Sequence, residues 1–447
     1  MRVNSTKTLF AALTSLKAHL SAASFPAEQS TIALTRAGKS TRFELDQTSL
    51  ILRGTPAFRR TNLALFSAGF ATFALMYCVQ PLLPLFARVF HVSAAASSLA
   101  ISSVTGSVAV AILLAGSVSE AWGRKPVMTA SMFASSALTT LSALAPDWAS
   151  FLGMRTLEGI AFSGLPAVAM AYLSEEMHPS SVGLAMGLYV GGTAVGGLSG
   201  RLLIGILTDW AGWRIALAVV GAIGLLAAFI FWRSLPRSAH FTARPMHIGN
   251  LVRSLVQHLK EPGLRLLFLE GFLLMGAFVS VYNYIGFRLV APPYGLNHTQ
   301  VGLVFAVYLV GTVSSAWVGN LAGRLGRRKV FWCVVALMLL GLLNTLLAPL
   351  SMIIWGLALF TFGFFGAHSV LSSWVGLRAL HSKAQAASLY LFFYYLGSSV
   401  AGTAGGFFWK SYGWAGVVAF LASLLLIALT ISLRLTRLQP IATPPLL

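Results

Sequence analysis

Arg155-Thr-Leu-Glu158-Gly159 sets a guanidinium and a carboxylate one helical turn apart within 149–173, a run otherwise dominated by apolar and small residues. Positions i and i+3 share a helical face, so the two groups can meet. If the run crosses a bilayer, burial favours the protonated acid, whereas the adjacent cation favours the carboxylate. An acid balanced between those effects can bind and release a proton as its hydration changes. The plainer alternative is a fixed ion pair bracing the helix, because charge at bilayer depth is costly unless paired. Glu270 is the other acid inside an apolar run, within reach of Arg265 five residues before it. It is a second candidate proton carrier. His368 titrates near neutrality in water, but a lone histidine within 352–375 fits packing better. Arg201, followed by Asp209 two turns later, is expected to order an outer vestibule.

The elements that must position these groups are set by composition. Mean hydropathy is +0.80, with 57% hydrophobic and 9% charged residues, far more apolar surface than a soluble core can hide. Twelve apolar segments approach the ~20 residues that a spanning helix needs: 62–86, 95–117, 126–145, 149–173, 182–207, 214–233, 265–288, 299–321, 330–349, 352–375, 385–408 and 415–435. This is an all-α membrane protein whose bulk solvent is lipid. Cys78 and Cys333 both fall inside apolar runs, so no disulfide framework or Cys-based metal site is expected.

A net charge of +20 would suggest nucleic acid in a soluble chain. Here the cations gather on alternate loops. With the N-terminus placed inside, inner segments carry 25 Lys/Arg and outer segments four, namely Arg88, Arg214, Arg288 and Lys410. The positive-inside rule then puts both termini in the cytoplasm, and no nucleic-acid partner is expected. Residues 1–60 carry nine Lys/Arg against Glu28, Glu44 and Asp46; a disordered cytoplasmic tail is expected, as for 438–447. Gly38-Lys39-Ser40 ends like a P-loop, but Ala33 stands where its first glycine belongs, which excludes a nucleotide-driven pump.

The chain also repeats itself. Gly116-Ser-Val-Ser-Glu120-Ala-Trp-Gly123-Arg124-Lys125 returns 203 residues later as Gly319-Asn-Leu-Ala-Gly323-Arg324-Leu-Gly326-Arg327-Arg328. Gly69-Phe70 matches Gly271-Phe272, and Gly212-Trp213 matches Gly413-Trp414. Tyr189, Gly191, Gly196 and Gly200 match Tyr395, Gly397, Gly402 and Gly406. Similar offsets across six helices imply one six-helix bundle used twice, 61–233 and 264–437, related by a pseudo-two-fold axis along the membrane normal. Residues 234–263 would form a basic, proline-bearing cytoplasmic loop between them.

Twelve helices in two halves, with G-x-x-x-[D/E]-x-x-G-R-K between helices 2 and 3, resemble the major facilitator superfamily of transporters, over about residues 60–437. Tyr172-Leu-Ser-Glu-Glu176-Met-His-Pro179, Gly271-Phe-Leu-Leu-Met275 and Tyr394-Tyr-Leu-Gly397 are similar to the YnfM-type bacterial inner-membrane permeases, grouped with arabinose-efflux-like and drug-efflux transporters. The resemblance implies a cytoplasmic gate at Gly116, Glu120, Gly123, Arg124 and Lys125. There an Arg124–acid pair would clamp helix 2 to helix 11 when the outer side is open. Its second copy, at Gly319, Gly326 and Arg327, has Gly323 in the acid's place and cannot form the same charge clamp. Arg155 and Glu158 match the family's R-x-x-[Q/E]-G signature in helix 4. Helix 5 carries Gly187, Gly191, Gly192, Gly196, Gly197 and Gly200, a small-residue face that lets helices approach closely. Thr193 stands where antiporter members carry a proline, so their kink is not expected.

By the same analogy, solute contacts come from helices 1, 4, 7 and 10 near the midplane. Tyr77 and Gln80 in helix 1 and Tyr282 and Asn283 in helix 7 are the candidates, lining an aromatic cavity suited to amphipathic or weakly polar solutes. The expected function is a monomeric, proton-coupled exporter of a small solute in the bacterial inner membrane, without cofactor or metal. Proton-linked uptake of a sugar or organic acid is the alternative. A receptor would want a sizeable soluble signalling domain, which is missing. An enzyme would want a motif such as H-E-x-x-H or G-x-S-x-G, and neither occurs.

Overall fold

The computed structural model describes residues 50–243 and 248–437. Those residues are almost wholly helical; their only β-pairing is an isolated parallel bridge between Ile51 and Met177. Helices 1 to 6 run over Pro56–Val89, Ala94–Trp122, Arg124–Ser142, Trp148–Glu176, Pro179–Ala211 and Trp213–Ser234. Helices 7 to 10 run over Pro262–Val290, His298–Leu325, Arg327–Asn344 and Leu350–Arg378. Helices 11 and 12 are the two arms, 383–412 and 414–437, of one helical stretch interrupted at Gly413. Helix 1 starts at Pro56 with Thr55 as its N-cap, so the expected tail ends earlier than residue 60. Residues 1–49 and 438–447 lie outside the described residues.

The repeat appears in the joints. Gly123 and Gly212 each link two helices through one residue at positive φ (99° and 84°), as do Gly326 and Gly413 (92° and 58°) in the second half. A side chain is strained in that conformation, and glycine is not. Helices 2 and 3, 5 and 6, 8 and 9, and 11 and 12 are thus hairpins with almost no loop.

Helix 5 packs along helix 1, as helix 11 packs along helix 7. A Cβ on Gly196 would lie 2.0 Å from the Phe70 carbonyl oxygen, and one on Gly397 equally close to that of Phe272. Gly192 and Gly200 continue the contact against Phe66 and Ala74. Gly197 faces Arg201 and Phe73, whereas Gly187 and Gly191 face open space. The glycine stripe is therefore a packing seam at Gly192, Gly196 and Gly200, and not at its start.

Three elements differ from expectation. The joining segment is not all loop: Ile248–Lys260 is a helix, with Val252, Val256 and Leu259 exposed on one side. Helix 4 breaks at Ser163-Gly164-Leu165 before Pro166, since proline has no N–H to give the preceding turn. Helix 1 loosens at Gln80–Leu82, where Pro81 has the same effect. Helix 5, lacking the proline, runs unbroken for 33 residues.

Candidate functional site: a transport path closed at one end

Among the described residues, the hydrogen bonds joining the two halves lie between mid-helix and the end opposite the glycine-basic turns. Ser399 donates to the Ser102 carbonyl and Thr403 to the Ser102 hydroxyl, both at 2.8 Å, fastening helix 11 to helix 2. Gly406 lies directly on Ala95. Gln80 Nε2 donates to Asn283 Oδ1 (2.8 Å), tying helix 1 to helix 7. Asp209, at the end of helix 5, accepts from the Thr299 amide and hydroxyl at 2.7 Å each. It also contacts the His298 ring at 2.7 Å. Asp209 therefore latches helix 5 onto the start of helix 8 and does not pair with Arg201.

At the basic end the polar contacts stay within each half. Arg124 donates to both oxygens of Glu175 (3.1 and 2.7 Å) and to Ser119 (2.6 Å). Glu120 is not its partner in this structure, because Glu175, at the foot of helix 4, offers bidentate geometry. Lys125 donates to the Leu235 carbonyl. Gly116 has open space beside it. In the second turn, Arg327 donates to Ser373 (3.1 Å) and Arg328 to the Thr436 carbonyl, while Gly319 lies against Ser369. Near this end Arg378 holds Glu261 bidentately, at 3.0 and 2.7 Å. The molecule is sealed at one end and unclamped at the other.

Arg155 and Glu158 meet as their spacing requires, 2.6 Å apart and fully buried. Thr139 donates to the other carboxylate oxygen (2.6 Å). Arg155 also donates to the carbonyls of Leu75 (3.5 Å), Met76 (2.7 Å) and Ala100 (3.0 Å). Leu75 and Met76 precede the loosened turn of helix 1, where carbonyls lack regular helical donors. One arginine thus holds helices 1, 2 and 4 around the acid. Glu270 is also fully buried, but neither oxygen has a hydrogen-bond partner and Arg265 does not reach it. His368 bonds Tyr390 through Nδ1 (2.7 Å).

Between the halves lies a cavity whose free volume is about 50 Å³, lined by residues that include Phe73, Tyr77, Arg201, Phe278, Tyr308 and Tyr394. Of the four expected cavity residues, only Tyr77 lines it. Gln80 and Asn283 form the bridge at the closed end. Tyr282 is turned into its own half, its hydroxyl bonding Thr361 (2.6 Å). Arg201 and Tyr308 were missed as cavity residues. Arg201 could have been found as the one cation besides Arg155 that lies well away from the ends of an expected span.

The two like halves, gated at one end around an aromatic cavity, define a secondary transporter fold. Residues 65–400 match the Major Facilitator Superfamily, and the chain belongs to that family. It is 49% identical over 387 residues to the MFS-type transporter YybF of Bacillus subtilis, covering 87% of this chain and 96% of that one. It is 50% identical over 387 residues to the inner membrane transport protein YnfM of Escherichia coli, covering 87% and 93%. In fold it is similar to a bacterial homologue of the human lysosomal transporter Spinster in its inward-facing, unoccupied form. That match has a TM-score of 0.72 and 15% identity, over 86% of this chain and 98% of the other. The chain is a membrane-spanning transporter of a small solute, not an enzyme.

Proposed function

We propose that this protein is a proton-coupled exporter working by alternating access in the bacterial inner membrane. The basic turns and both termini face the cytoplasm, as the distribution of Lys and Arg supports. The structure is then the inward-facing state. Residues 61–233 and 264–437 rock as two bodies about the cavity, and 234–263 joins them. When the inner end closes, Glu120 and Arg124 approach helix 11 and form the gate, with Gly319, Gly326 and Arg327 packing opposite.

The observation that carries the reading is the sealed Arg155–Glu158 pair beside the broken turn of helix 1. As that turn moves, Arg155 changes carbonyl partners and the carboxylate gains or loses its cation, which decides whether it holds a proton. Glu270, buried without a partner, is the second acid able to take one. An aromatic cavity suits amphipathic solutes, which a cell has more cause to expel than to collect. Glu158→Gln keeps shape and hydrogen bonding but cannot titrate. It should abolish solute flux driven by a pH gradient in proteoliposomes while sparing solute exchange at equal pH. Surviving pH-driven flux would move the coupling site to Glu270, and the direction of flux in inverted vesicles separates export from uptake.

A further inference from the structure

We propose that the transported solute is an organic anion with an apolar or aromatic body, and that Arg201 binds its acidic group. This deepens the transport reading above and rests on it.

Arg201 is only 1% exposed, yet all its partners are neutral. Its Nε and one Nη donate to Gln80 Oε1 (2.9 and 2.8 Å), and its other Nη donates to the Gly197 carbonyl (2.6 Å). The Tyr308 hydroxyl lies at 3.1 Å, and the rings of Tyr77 and Tyr308 flank the guanidinium at 4.9 and 4.3 Å. Among the described residues the ion pairs use other cations. The contrast with Arg155, which has Glu158 against it, is direct.

An isolated charge costs far more to bury than neutral hydrogen bonds return. In a cavity wall, a mobile ligand can supply the missing charge. A guanidinium is also the side chain that takes a carboxylate, sulfonate or phosphate through two parallel hydrogen bonds. Around it the lining is Phe73, Met275, Phe278, Phe364, Phe365 and Tyr394, with no acid to seat a cation. The free volume of about 50 Å³ matches one or two waters, hence an acidic headgroup; the solute's body must part the rings.

Binding also has a consequence at the closed end. The two Arg201 donors that suit an anion are those now spent on Gln80. An anion that takes them frees Gln80 Oε1, and the same side chain's Nε2 is the bridge to Asn283 in the other half. The Tyr308 contact also crosses between halves. Filling the site therefore loosens the outer closure, so that the loaded carrier opens outward more readily than the empty one.

The test is equilibrium binding to the full-length protein in nanodiscs with no pH gradient. The probes are naphthoate, its neutral amide naphthamide, and the cation naphthylmethylammonium. Naphthoate should bind about 10- to 100-fold tighter than the amide, the range of a hydrogen bond to a charged group, and the ammonium should bind weakest. Arg201→Gln should erase the preference, and Arg201→Lys should keep part of it. If the arginine variants do not fold, the order of the three probes on the wild type decides the matter, because a wall without an unpaired cation would favour the amide or the ammonium over naphthoate. The proposal is overturned if the amide or ammonium binds as well as naphthoate, if none of the three binds the wild type, or if Arg201→Gln keeps the preference. No proton gradient enters this measurement, so its failure is distinguishable from failure of proton coupling.

Discussion

Asp209→Ala should open the closed end. The carboxylate receives the Thr299 amide and hydroxyl and the His298 ring at 2.7 Å each, and the His298 amide at 3.3 Å. It also sits against the start of helix 8, where unpaired amides favour negative charge by about 0.3–1 kcal/mol. Hydrogen bonds to a charged group contribute about 1.5–3 kcal/mol each. The side chain is 25% exposed, so water can replace part of what is lost and solvent screens the charge. Counting one full bond and the helix-end effect gives about 2–3 kcal/mol favouring the sealed arrangement, roughly a 30- to 150-fold shift in population when it is removed. Nitroxides at Leu144 and Leu347, both exposed at this end in opposite halves, report the opening by pulsed electron spectroscopy. Buried Cys78 and exposed Cys333 must first be replaced to leave a clean background. The variant should show a new, longer distance population, and Asp209→Asn, which keeps an acceptor, a smaller one. Identical distance distributions in wild type and Asp209→Ala would refute the latch.

Three further outcomes are expected. Gly196→Ala sets a methyl 2.0 Å from the Phe70 carbonyl and should cost about 1–3 kcal/mol or more, seen as a lower melting temperature in detergent. Gly187→Ala, with open space beside it, should melt as wild type does. Burial alone would raise the Glu261 carboxyl, but hydrogen bonds from Arg378 and the amides of Leu264 and Gly263 outweigh it and hold the group below its ordinary 4.5. A carboxyl lowered by folding stabilises above 4.5, and that contribution fades as pH falls through the folded value. The Glu261 side chain is 27% exposed, so solvent screens the pair and the effect is at most about 1 kcal/mol. Melting at neutral and at acid pH should show wild type losing more on acidification than Glu261→Gln.

The helices were legible because twenty apolar residues in a row admit few other readings, and the duplication because its glycine joints serve backbone conformations that other residues strain to adopt. Arg155 and Glu158 met because neighbours on one helix are fixed by its pitch. Contacts between helices were harder. Glu175 lies 51 residues from Arg124, and no spacing rule selects it over Glu120, four residues away. Arg201 looked like the natural partner of Asp209 on the same helix, yet Arg201 turns to Gln80 of its own half and Tyr308 across the cavity, and Asp209 to the start of helix 8. The helix at Ile248–Lys260 was hidden by the prolines and cations around it, although its apolar residues recur at helical spacing.

The one-residue joints also bear on how the chain is made. Helices 2–3, 5–6, 8–9 and 11–12 have no room to enter the bilayer separately and must insert as preformed hairpins. Helices 1, 4, 7 and 10 are left to enter singly. On insertion scales a charged residue at mid-helix costs about 2.5–3.5 kcal/mol, and helix 4 carries two. The carbonyls that receive Arg155 belong to helices 1 and 2, and Thr139, which donates to Glu158, lies on helix 3. Helix 4 can thus settle only against three helices synthesised before it. The buried pair ties the placement of helix 4 in the bilayer to the three helices that precede it in the chain.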